Sequence, residues 1–529
     1  MKNRNLPNQD YKLITLPNKM IKVLVDGKFA QLNTVGMEQV FHALMFLLAY
    51  PQSEKQEVFA LKKLNTVAAI IKNKAAAFKN KLINSGLPFT NMSVQFTHDF
   101  LQWLLQQKEI KVKFRQFVNS ETDLNELLKL TLNPAEKSET TAGLSNEDLL
   151  HSLGIEQHEV LNFLLDEFSK IYQPEVKDYL FDSVGLQCDL IPQNKFFSLP
   201  YNRFTRNKTF YHEEILKKFD YKNVLDSEIN PAVSLSENEH VELIKTIKYA
   251  MVLTNRETDT VTYMDENTLQ YFELERGISV AIYGMTPDRQ LPFESYIGYT
   301  LFKNGFPCAY GGSWVFGKRA LFGINIFEWF RGGESGYVLC QLLRVFHKVF
   351  DVDYFEVEPY QYGLDNPDGI SSGAFWFYYK FGFRPVDKEL KKIAEREFHK
   401  IKSKQNYRTQ EKTLLRFTES NISLTLEKIN QAKIVEVTSV ISGMIKKQFK
   451  GNRMQAEQEC VSLFLQKAQR AVNHSEYSEA LLEMALLCEA YKIKDDETIS
   501  LLYAMAHIKP VNPYDYQGIL LKFLEKIAK

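Results

Sequence analysis

A glycine-rich turn constrains the fold of this chain more than any other segment. The turn, residues 331–336, reads Arg331-Gly332-Gly333-Glu334-Ser335-Gly336 and lies between a strand-like run at 320–330 and a helix-like run at 337–350. The first N–H groups of a helix have no acceptor within the helix, and the helix dipole adds positive potential beside them. Glycine allows the backbone to approach an anion without an intervening side chain. The segment therefore predicts either an ordinary connection between a strand and a helix or a phosphate-binding loop.

Three strands are predicted before this turn. Residues 294–302 are rich in aromatic and β-branched side chains, and they are followed by Asn304-Gly305, the strongest two-residue signal for a hairpin. A second strand is predicted at 307–316 and a third at 320–330. The sequence thus predicts an antiparallel meander that leads into the glycine-rich turn.

A helix and a fourth strand are predicted after the turn. Apolar side chains recur at helical spacing in 337–350. Residues 354–358 alternate between two faces, so that Glu356 and Glu358 share one of them. An aromatic run at 373–385 follows a polar loop.

The order of these elements resembles the GNAT superfamily of acyl-CoA-dependent N-acyltransferases. The glycine-rich turn is similar to that family's pyrophosphate loop, Arg/Gln-x-x-Gly-x-Gly/Ala. The run Phe377-Tyr378-Tyr379-Lys380-Phe381-Gly382-Phe383 is similar to the family's Phe-Tyr-x-Lys-x-Gly-Phe ending. The resemblance covers roughly residues 259–387, about a quarter of the chain. It departs from the family at Glu334, where glycine is usual, and an acid among phosphate-facing N–H groups is unfavourable unless its side chain turns away.

The resemblance implies an α+β fold whose core is a GNAT-like mixed sheet. An antiparallel meander would be followed by two parallel, splayed strands, of which the second is 354–358. Mainly α-helical N- and C-terminal regions would flank this core. The predicted divisions are a helical N-terminal region (1–132), a polar linker (133–143), a mainly helical middle region (144–255), the GNAT-like domain (256–390) and a mainly helical C-terminal region (391–529).

The resemblance also implies two catalytic roles. Glu356 is the first candidate for the base that takes the proton of the amine, since Phe355-Glu356-Val357 is similar to the Leu-Glu-Val pattern of N-terminal protein acetyltransferases. Glu328 and Glu358 are the alternatives, and an ion-paired glutamate is the competing interpretation of Glu356. Tyr378 matches the family tyrosine beside the thioester sulfur, a candidate general acid, and its competing interpretation is an aromatic core residue.

An acyl-CoA is the co-substrate that the resemblance implies, with acetyl-CoA as the expected donor. The N–H groups of the turn would bind its pyrophosphate, and the strand before the turn would offer backbone groups to its pantetheine arm. The residues assigned to this site are Phe327, Trp329, Arg331, Gly332, Gly333, Glu334, Ser335 and Gly336.

Composition and charge limit the other classes of function. The 65 basic and 65 acidic residues balance, so the net charge favours neither nucleic acid nor an anionic membrane as a partner. The longest apolar run, residues 41–50, is too short to span a bilayer. Five dispersed cysteines without a Cys-x-x-Cys pair favour reduced thiols and a cytoplasmic location. No His/Cys cluster has the spacing of a metal site, so no metal is expected.

The expected function is an acyl-CoA-dependent N-acyltransferase in which the amine of a protein or small-molecule acceptor attacks the thioester directly. A non-catalytic interaction protein with a degenerate GNAT-like core is the main alternative, because Glu334 interrupts the turn and most of the chain lies outside the core. An aminoacyl-tRNA-dependent transferase is a third interpretation, although such enzymes usually pair two cores of this kind and only one is found.

Overall fold

The computed structural model describes residues 18–206, 208–427, 434–469 and 478–527. In these four stretches, no helix combines the length and the apolarity that a membrane span requires. The elements before residue 255 are α1 (Asn18–Asp26), α2 (Thr34–Ala49), α3 (Glu54–Lys72), α4 (Ala76–Asn80), β1 (Met92–Val94), α5 (His98–Leu105), β2 (Ile110–Phe117), α6 (Leu124–Thr131), α7 (Asn146–Ser152), α8 (Val160–Phe168), α9 (Pro174–Ser183), β3 (Leu186–Pro192), α10 (Tyr221–Asp226) and α11 (Glu237–Val252).

The remaining elements form the central sheet, its helices and a C-terminal helical bundle. They are α12 (Asp259–Thr262), β4 (Gln270–Glu273), β5 (Ile278–Tyr283), β6 (Ser295–Lys303), β7 (Phe306–Phe316), β8 (Arg319–Ile326), α13 (Ser335–Phe350), β9 (Tyr354–Val357), α14 (Pro367–Ser372), α15 (Ala374–Lys380), β10 (Arg384–Pro385), α16 (Lys388–Ser403), α17 (Glu411–Phe417), β11 (Ile422–Thr425), α18 (Ile434–Gln448), α19 (Arg453–Lys467), α20 (Glu479–Ala490), α21 (Asp496–Ile508) and α22 (Pro513–Ile527).

Eight strands of the described chain form one mixed sheet, in the order β10-β11-β9-β8-β7-β6-β5-β4. Strands β4 to β8 are a continuous antiparallel meander. After the crossover helix α13, strand β9 pairs parallel to β8. The fold is therefore α+β with a mixed sheet, and the predicted meander and parallel strand are confirmed.

The hairpin between β6 and β7 turns at the predicted dipeptide. Asn304 and Gly305 have φ angles of 45° and 82°, the left-handed values that a tight two-residue hairpin turn needs at both central positions. The Asn304 side chain also donates a hydrogen bond to the Ala49 carbonyl oxygen and accepts one from the Phe210 N–H, each at 2.9 Å. The tip of this hairpin is therefore tied to the N-terminal half of the chain.

Strands β8 and β9 separate soon after they begin. Within the described chain, their register runs only from the Arg319–Tyr354 pair to the Leu321–Glu356 pair, whereas β8 continues to Ile326. The other edge of β9 pairs antiparallel with β11, so β9 remains part of the sheet. The sheet therefore opens along one edge of β8.

The two regions predicted to be helical before residue 255 share a sheet that the prediction did not include, with β1 and β2 from the first region and β3 from the second. Strands β1, β2 and β3 form an antiparallel sheet in the order β1-β3-β2. In β2, exposed Lys111, Lys113 and Arg115 alternate with half-buried Val112 and Phe114, which is the two-residue period of a strand. The prediction overlooked this alternation because the stretch is short and lies between strongly helical segments.

Two other segments bear on the predicted divisions. Strand β11 comes from the region predicted to be mainly helical, yet it lies between β9 and β10, so the mixed sheet extends beyond residue 390. The polar segment 133–143 contains a short 3-10 helix, Lys137–Thr141, and buries the Thr140 side chain. Its role as a linker stays a prediction.

A second apolar core lies among the C-terminal helices α18 to α22. Helix α22 joins this bundle to the sheet, where the buried Tyr516 hydroxyl group donates a hydrogen bond to the Phe293 carbonyl oxygen at 2.8 Å. The Gln517 side-chain amide donates to the carbonyl oxygens of Gly317, at 2.7 Å, and Phe350, at 2.8 Å. Because these groups are buried, Gln517 satisfies two acceptors that water cannot reach.

We expect the substitution Gln517→Leu to destabilise the protein by about 1–3 kcal/mol for each carbonyl group left without a donor. Chemical denaturation followed by circular dichroism measures the change in the free energy of unfolding. Gln466→Leu, on an exposed position of α19, is the matched control. A Gln517→Leu variant as stable as this control would contradict the anchoring role of the amide.

Candidate functional site

A cleft of about 280 Å³ opens beside β8, where β9 has separated from it. The end of β8 forms one wall of this cleft, and the glycine-rich turn and helix α15 contribute others. The side chains and backbone groups that line it include those of Ile324, Asn325, Ile326, Arg331, Ser335, Gln361, Phe377 and Tyr378. Of the predicted cofactor residues, Arg331 and Ser335 therefore line the cleft.

The glycine-rich turn has three free amide donors, and one of them, that of Ser335, belongs to a residue that lines this cleft. In the part of the chain that the structure describes, the N–H groups of Gly332, Ser335 and Gly336 have no acceptor. The Gly333 N–H donates to the Phe330 carbonyl oxygen instead. Ser335 begins α13, a helix of 16 residues, so its dipole adds to the positive potential at these amides. Free amides at a helix N-terminus are groups that can bind an anion.

The Glu334 carboxylate points away from these amides. Its Oε2 lies 2.7 Å from Lys303 Nζ, while its Oε1 accepts hydrogen bonds from Arg276 Nη2 at 2.6 Å and from the Leu216 N–H at 2.9 Å. The side chains of Glu334 and Lys303 are both fully buried. The acid in the turn therefore faces a buried cluster of donors, and it leaves the free amides unobstructed.

This buried cluster keeps Glu334 ionised. Burial alone would raise the pKa of the carboxyl group, but hydrogen bonds from Arg276 and Lys303, together with the Lys303 charge, lower that pKa to about 2. Burial lowers the pKa of His212, which lies 3.9 Å from Glu334, to about 3, so its ring is neutral. The turn is thus held through Glu334 to the hairpin strand that carries Lys303.

Two glycines of the turn make room for aromatic rings of the protein. A Cβ atom at Gly333 would collide with the Tyr50 ring, and one at Gly336 would collide with the Phe381 ring. Neither glycine has a positive φ angle. At these two positions the missing side chain therefore serves packing, and Tyr50 brings the end of α2 onto the turn.

Arg331 lines the cleft, whereas the predicted cofactor residues Phe327 and Trp329 do not. Arg331 spans the mouth of the cleft, with Nη2 3.2 Å from Asp368 Oδ2 and Nε donating to the Ile326 carbonyl oxygen at 3.2 Å. Phe327 and Trp329 stack on each other with ring centroids 5.3 Å apart, and they are not among the residues that line the cleft.

Tyr378 lies inside the cleft, and its neighbour Tyr379 does not. The Tyr378 ring packs against Phe322 of β8. Burial raises the pKa of its phenol, and the Ile324 backbone beside the hydroxyl group opposes that shift. The Tyr379 ring instead contacts the Arg384 guanidinium group, whose carbon lies 3.7 Å from the ring centroid. The two adjacent tyrosines therefore have different environments.

Glu356 is ion-paired. Its Oε2 accepts a hydrogen bond from Arg319 Nε at 2.9 Å, and its Oε1 accepts one from Asn421 Nδ2 at 2.6 Å. The Phe355 ring of β9 packs against Phe322, as the Tyr378 ring does. Because side chains alternate along β9, Glu356 lies on the other face of the sheet from Phe355 and Tyr378. Glu328 and Glu358 are exposed and do not line the cleft.

Glu294 is a carboxylate that no motif in the sequence singles out. It precedes β6, and burial raises its pKa while the nearby Arg319 charge lowers it. Arg319 thus lies near two carboxylates, those of Glu294 and Glu356. Only the order of the strands brings these groups together, since they belong to three separate segments of the chain.

Comparisons with known proteins find no match among protein-family models, curated proteins or solved structures. The chemistry of the cleft is therefore inferred from its own geometry. The features that bear on that chemistry are the Ser335 amide and the Tyr378 phenol, which line the cleft, and the two carboxylates near Arg319, which lie outside its lining.

We expect Glu334→Gln to lower the stability of the protein at neutral pH, because Lys303 and Arg276 lose their charged partner. Removing one member of a buried ion pair typically costs about 3–5 kcal/mol. The folded-state pKa of Glu334, about 2, is below its ordinary value of 4.5. The stabilisation by its charge is therefore present above pH 4.5 and is lost as the pH falls towards 2.

Urea denaturation of wild type and Glu334→Gln at a series of pH values tests this expectation. The difference in the free energy of unfolding should be largest near pH 7 and should shrink below pH 4.5. Glu389→Gln, which removes an exposed carboxylate of α16, is the control and should change stability by less than about 1 kcal/mol. A difference that stays constant down to pH 3 would contradict the ionised state of Glu334.

Proposed function

We propose that the protein is an acyl-CoA-dependent N-acyltransferase, a member of the GNAT superfamily, and that acetyl-CoA or another acyl-CoA binds in the cleft beside β8. The observation that carries the proposal is the free amide of Ser335, which lies at the N-terminus of α13 and lines this cleft, with two further free amides, those of Gly332 and Gly336, in the same turn. Such amides suit the pyrophosphate of an acyl-CoA. The open edge of β8 would then run beside its pantetheine arm.

The proposed reaction needs one proton donor and one proton acceptor. The amine nitrogen attacks the thioester carbonyl carbon, a C–N bond forms, and the C–S bond breaks to release a thiolate. Tyr378 is suited to protonate that thiolate, because it lies in the cleft and burial keeps its phenol protonated at neutral pH. The proton lost by the amine would pass to water and through water to Glu356, the predicted base, which does not itself line the cleft.

A non-catalytic interaction protein is the second candidate function. The cleft of about 280 Å³ is smaller than most ligand pockets, which have volumes of about 300–1,000 Å³. Arg331 also bridges from Ile326 to Asp368 across its mouth. An acyl-CoA would have to displace this bridge, and a protein without a ligand at this position would keep it.

Calorimetry with acetyl-CoA tests the proposed site through the substitution Ser335→Asp. An acid in the first turn of α13 is favourable for the helix, so the fold should be retained. The same acid would repel a pyrophosphate and compete for the free amides. We expect affinity for acetyl-CoA to fall by about ten- to a hundredfold or more.

Ser371→Asp is the matched control, since it adds the same charge at an exposed position that does not line the cleft. Equal loss of affinity in both variants would refute the assignment of the turn as a pyrophosphate site. Absence of binding by the wild type to acetyl-CoA and to longer acyl-CoAs would favour the interaction protein.

Release of CoA in the presence of a panel of amines and peptides tests the chemistry. We expect Tyr378→Phe to lower turnover by about a hundredfold to ten-thousandfold, the usual contribution of a general acid, with little change in affinity for acetyl-CoA. Tyr379→Phe is the matched control, because that ring packs outside the cleft against Arg384. If only Tyr379→Phe is damaging, the family motif is aligned one residue out of register.

A further inference from the structure

A second cavity, of about 830 Å³, lies between α1 and α2 and the segment that precedes the glycine-rich turn. Its volume is about three times that of the cleft beside β8 and falls within the range of pockets that enclose small molecules. The proposed acyl transfer makes no use of this space. The cavity therefore needs an explanation of its own.

The walls of this cavity are mainly apolar. Helix α1 contributes Met20 and Val23, and helix α2 contributes Val40, Ala43 and Phe46. Both helices belong to the N-terminal region, outside the part of the chain that resembles an acyltransferase. An apolar hollow of this size favours an apolar ligand, because each methylene group moved from water into it adds to binding.

The geometry of Trp329 favours a chain over a flat aromatic ring. Phe327 covers one part of the indole, with ring centroids 5.3 Å apart and planes 2° apart. His42 stacks on it as well, at 5.1 Å and 23°. Because two aromatic partners already stack on the indole, less of its surface is left for a planar ligand, whereas a flexible chain needs only apolar walls.

One cationic side chain lies at the rim. Lys19 lines the cavity, is exposed, and forms no ion pair with any residue that the structure describes. The other ionisable group in the lining, His42, is neutral at pH 7, because burial lowers its pKa and the Glu328 charge only partly opposes this. The cavity thus combines apolar walls with a single positive charge.

We propose that this cavity binds a long-chain fatty acid, with the hydrocarbon chain between α1 and α2 and the carboxylate beside Lys19. The proposal does not depend on acyl transfer, although Gly332 lines the cavity and also belongs to the glycine-rich turn. The positive charge of Lys19 favours a ligand with a carboxylate, and the volume and the apolar walls of the cavity favour a hydrocarbon chain.

Calorimetry of the full-length protein with decanoic, dodecanoic and tetradecanoic acids tests the proposal. Affinity should rise by about fourfold for each added methylene group, as expected when the group is buried. Dodecanol should bind about two- to fivefold more weakly than dodecanoic acid, as expected for an ion pair with an exposed lysine, and Lys19→Met should remove this difference. Lys22→Met is the control for charge, because Lys22 is an exposed lysine of the same helix that does not line the cavity.

Val23→Phe should fill the cavity and reduce affinity for dodecanoic acid by at least about tenfold. Val25→Phe is its matched control, since Val25 is 49% exposed on the same helix and outside the lining. Thermal unfolding of each variant verifies that the fold is retained. Ala43→Phe fills the cavity from the side of α2 and replaces Val23→Phe if that variant does not fold.

Three outcomes would overturn the proposal. The wild type could bind none of the acids saturably, a filling variant could bind as well as Val25→Phe, or dodecanol could bind as tightly as dodecanoic acid. The last outcome would assign the cavity to a neutral chain. Acetyl-CoA binding, measured separately, distinguishes failure of this proposal from failure of the acyltransferase proposal.

Discussion

The arrangement of the whole core depends on the buried ion pair between Glu334 and Lys303. Removing two charges from water is costly, and only close opposite charges and complete hydrogen bonding offset that cost. Glu334 comes from the glycine-rich turn and Lys303 from the end of β6, while Arg276 and Leu216 add donors from two further segments. A cluster of this kind tolerates few alternative geometries. It therefore fixes the turn against the hairpin before any ligand is considered.

The same ion pair explains how one turn can have a protein-facing side and a solvent-facing side. The Glu334 side chain and the Tyr50 ring occupy the inner side, and Tyr50 reaches the turn from 284 residues away in the chain. On the outer side, the amides of Ser335 and Gly336 have no acceptor in the described chain, and Ser335 lines the cleft. From the sequence, Glu334 is expected to hinder phosphate binding. In the structure its side chain instead helps to hold the loop in place.

Local patterns in the sequence predicted the strands and the helix of the core, but they did not predict contacts between residues that are far apart in the chain. Asn304-Gly305 predicted the hairpin because its left-handed φ values are a property of those two residues. By contrast, a lysine next to a turn, such as Lys303, is usually exposed to solvent, and no neighbouring residue in the sequence predicts its contact with Glu334. The same limit applies to Glu294 and Arg319, which only the order of the strands brings together. For the cleft, Tyr378 was predictable from a motif, whereas the partners of Glu356 were not, because Arg319 comes from β8 and Asn421 directly precedes β11, a strand that the sequence did not assign to the sheet.

On the ribosome, β9 and β10 are synthesised before β11, the strand that lies between them. Until residues 422–425 have left the exit tunnel, one edge of β9 carries backbone groups without partners. Unpaired strand edges promote association between chains, and large proteins are most exposed to it while such intermediates persist. The nascent chain therefore cannot complete its central sheet until residues 422–425 have emerged from the ribosome. Slow translation over residues 386–421 would lengthen the period in which it needs protection by chaperones.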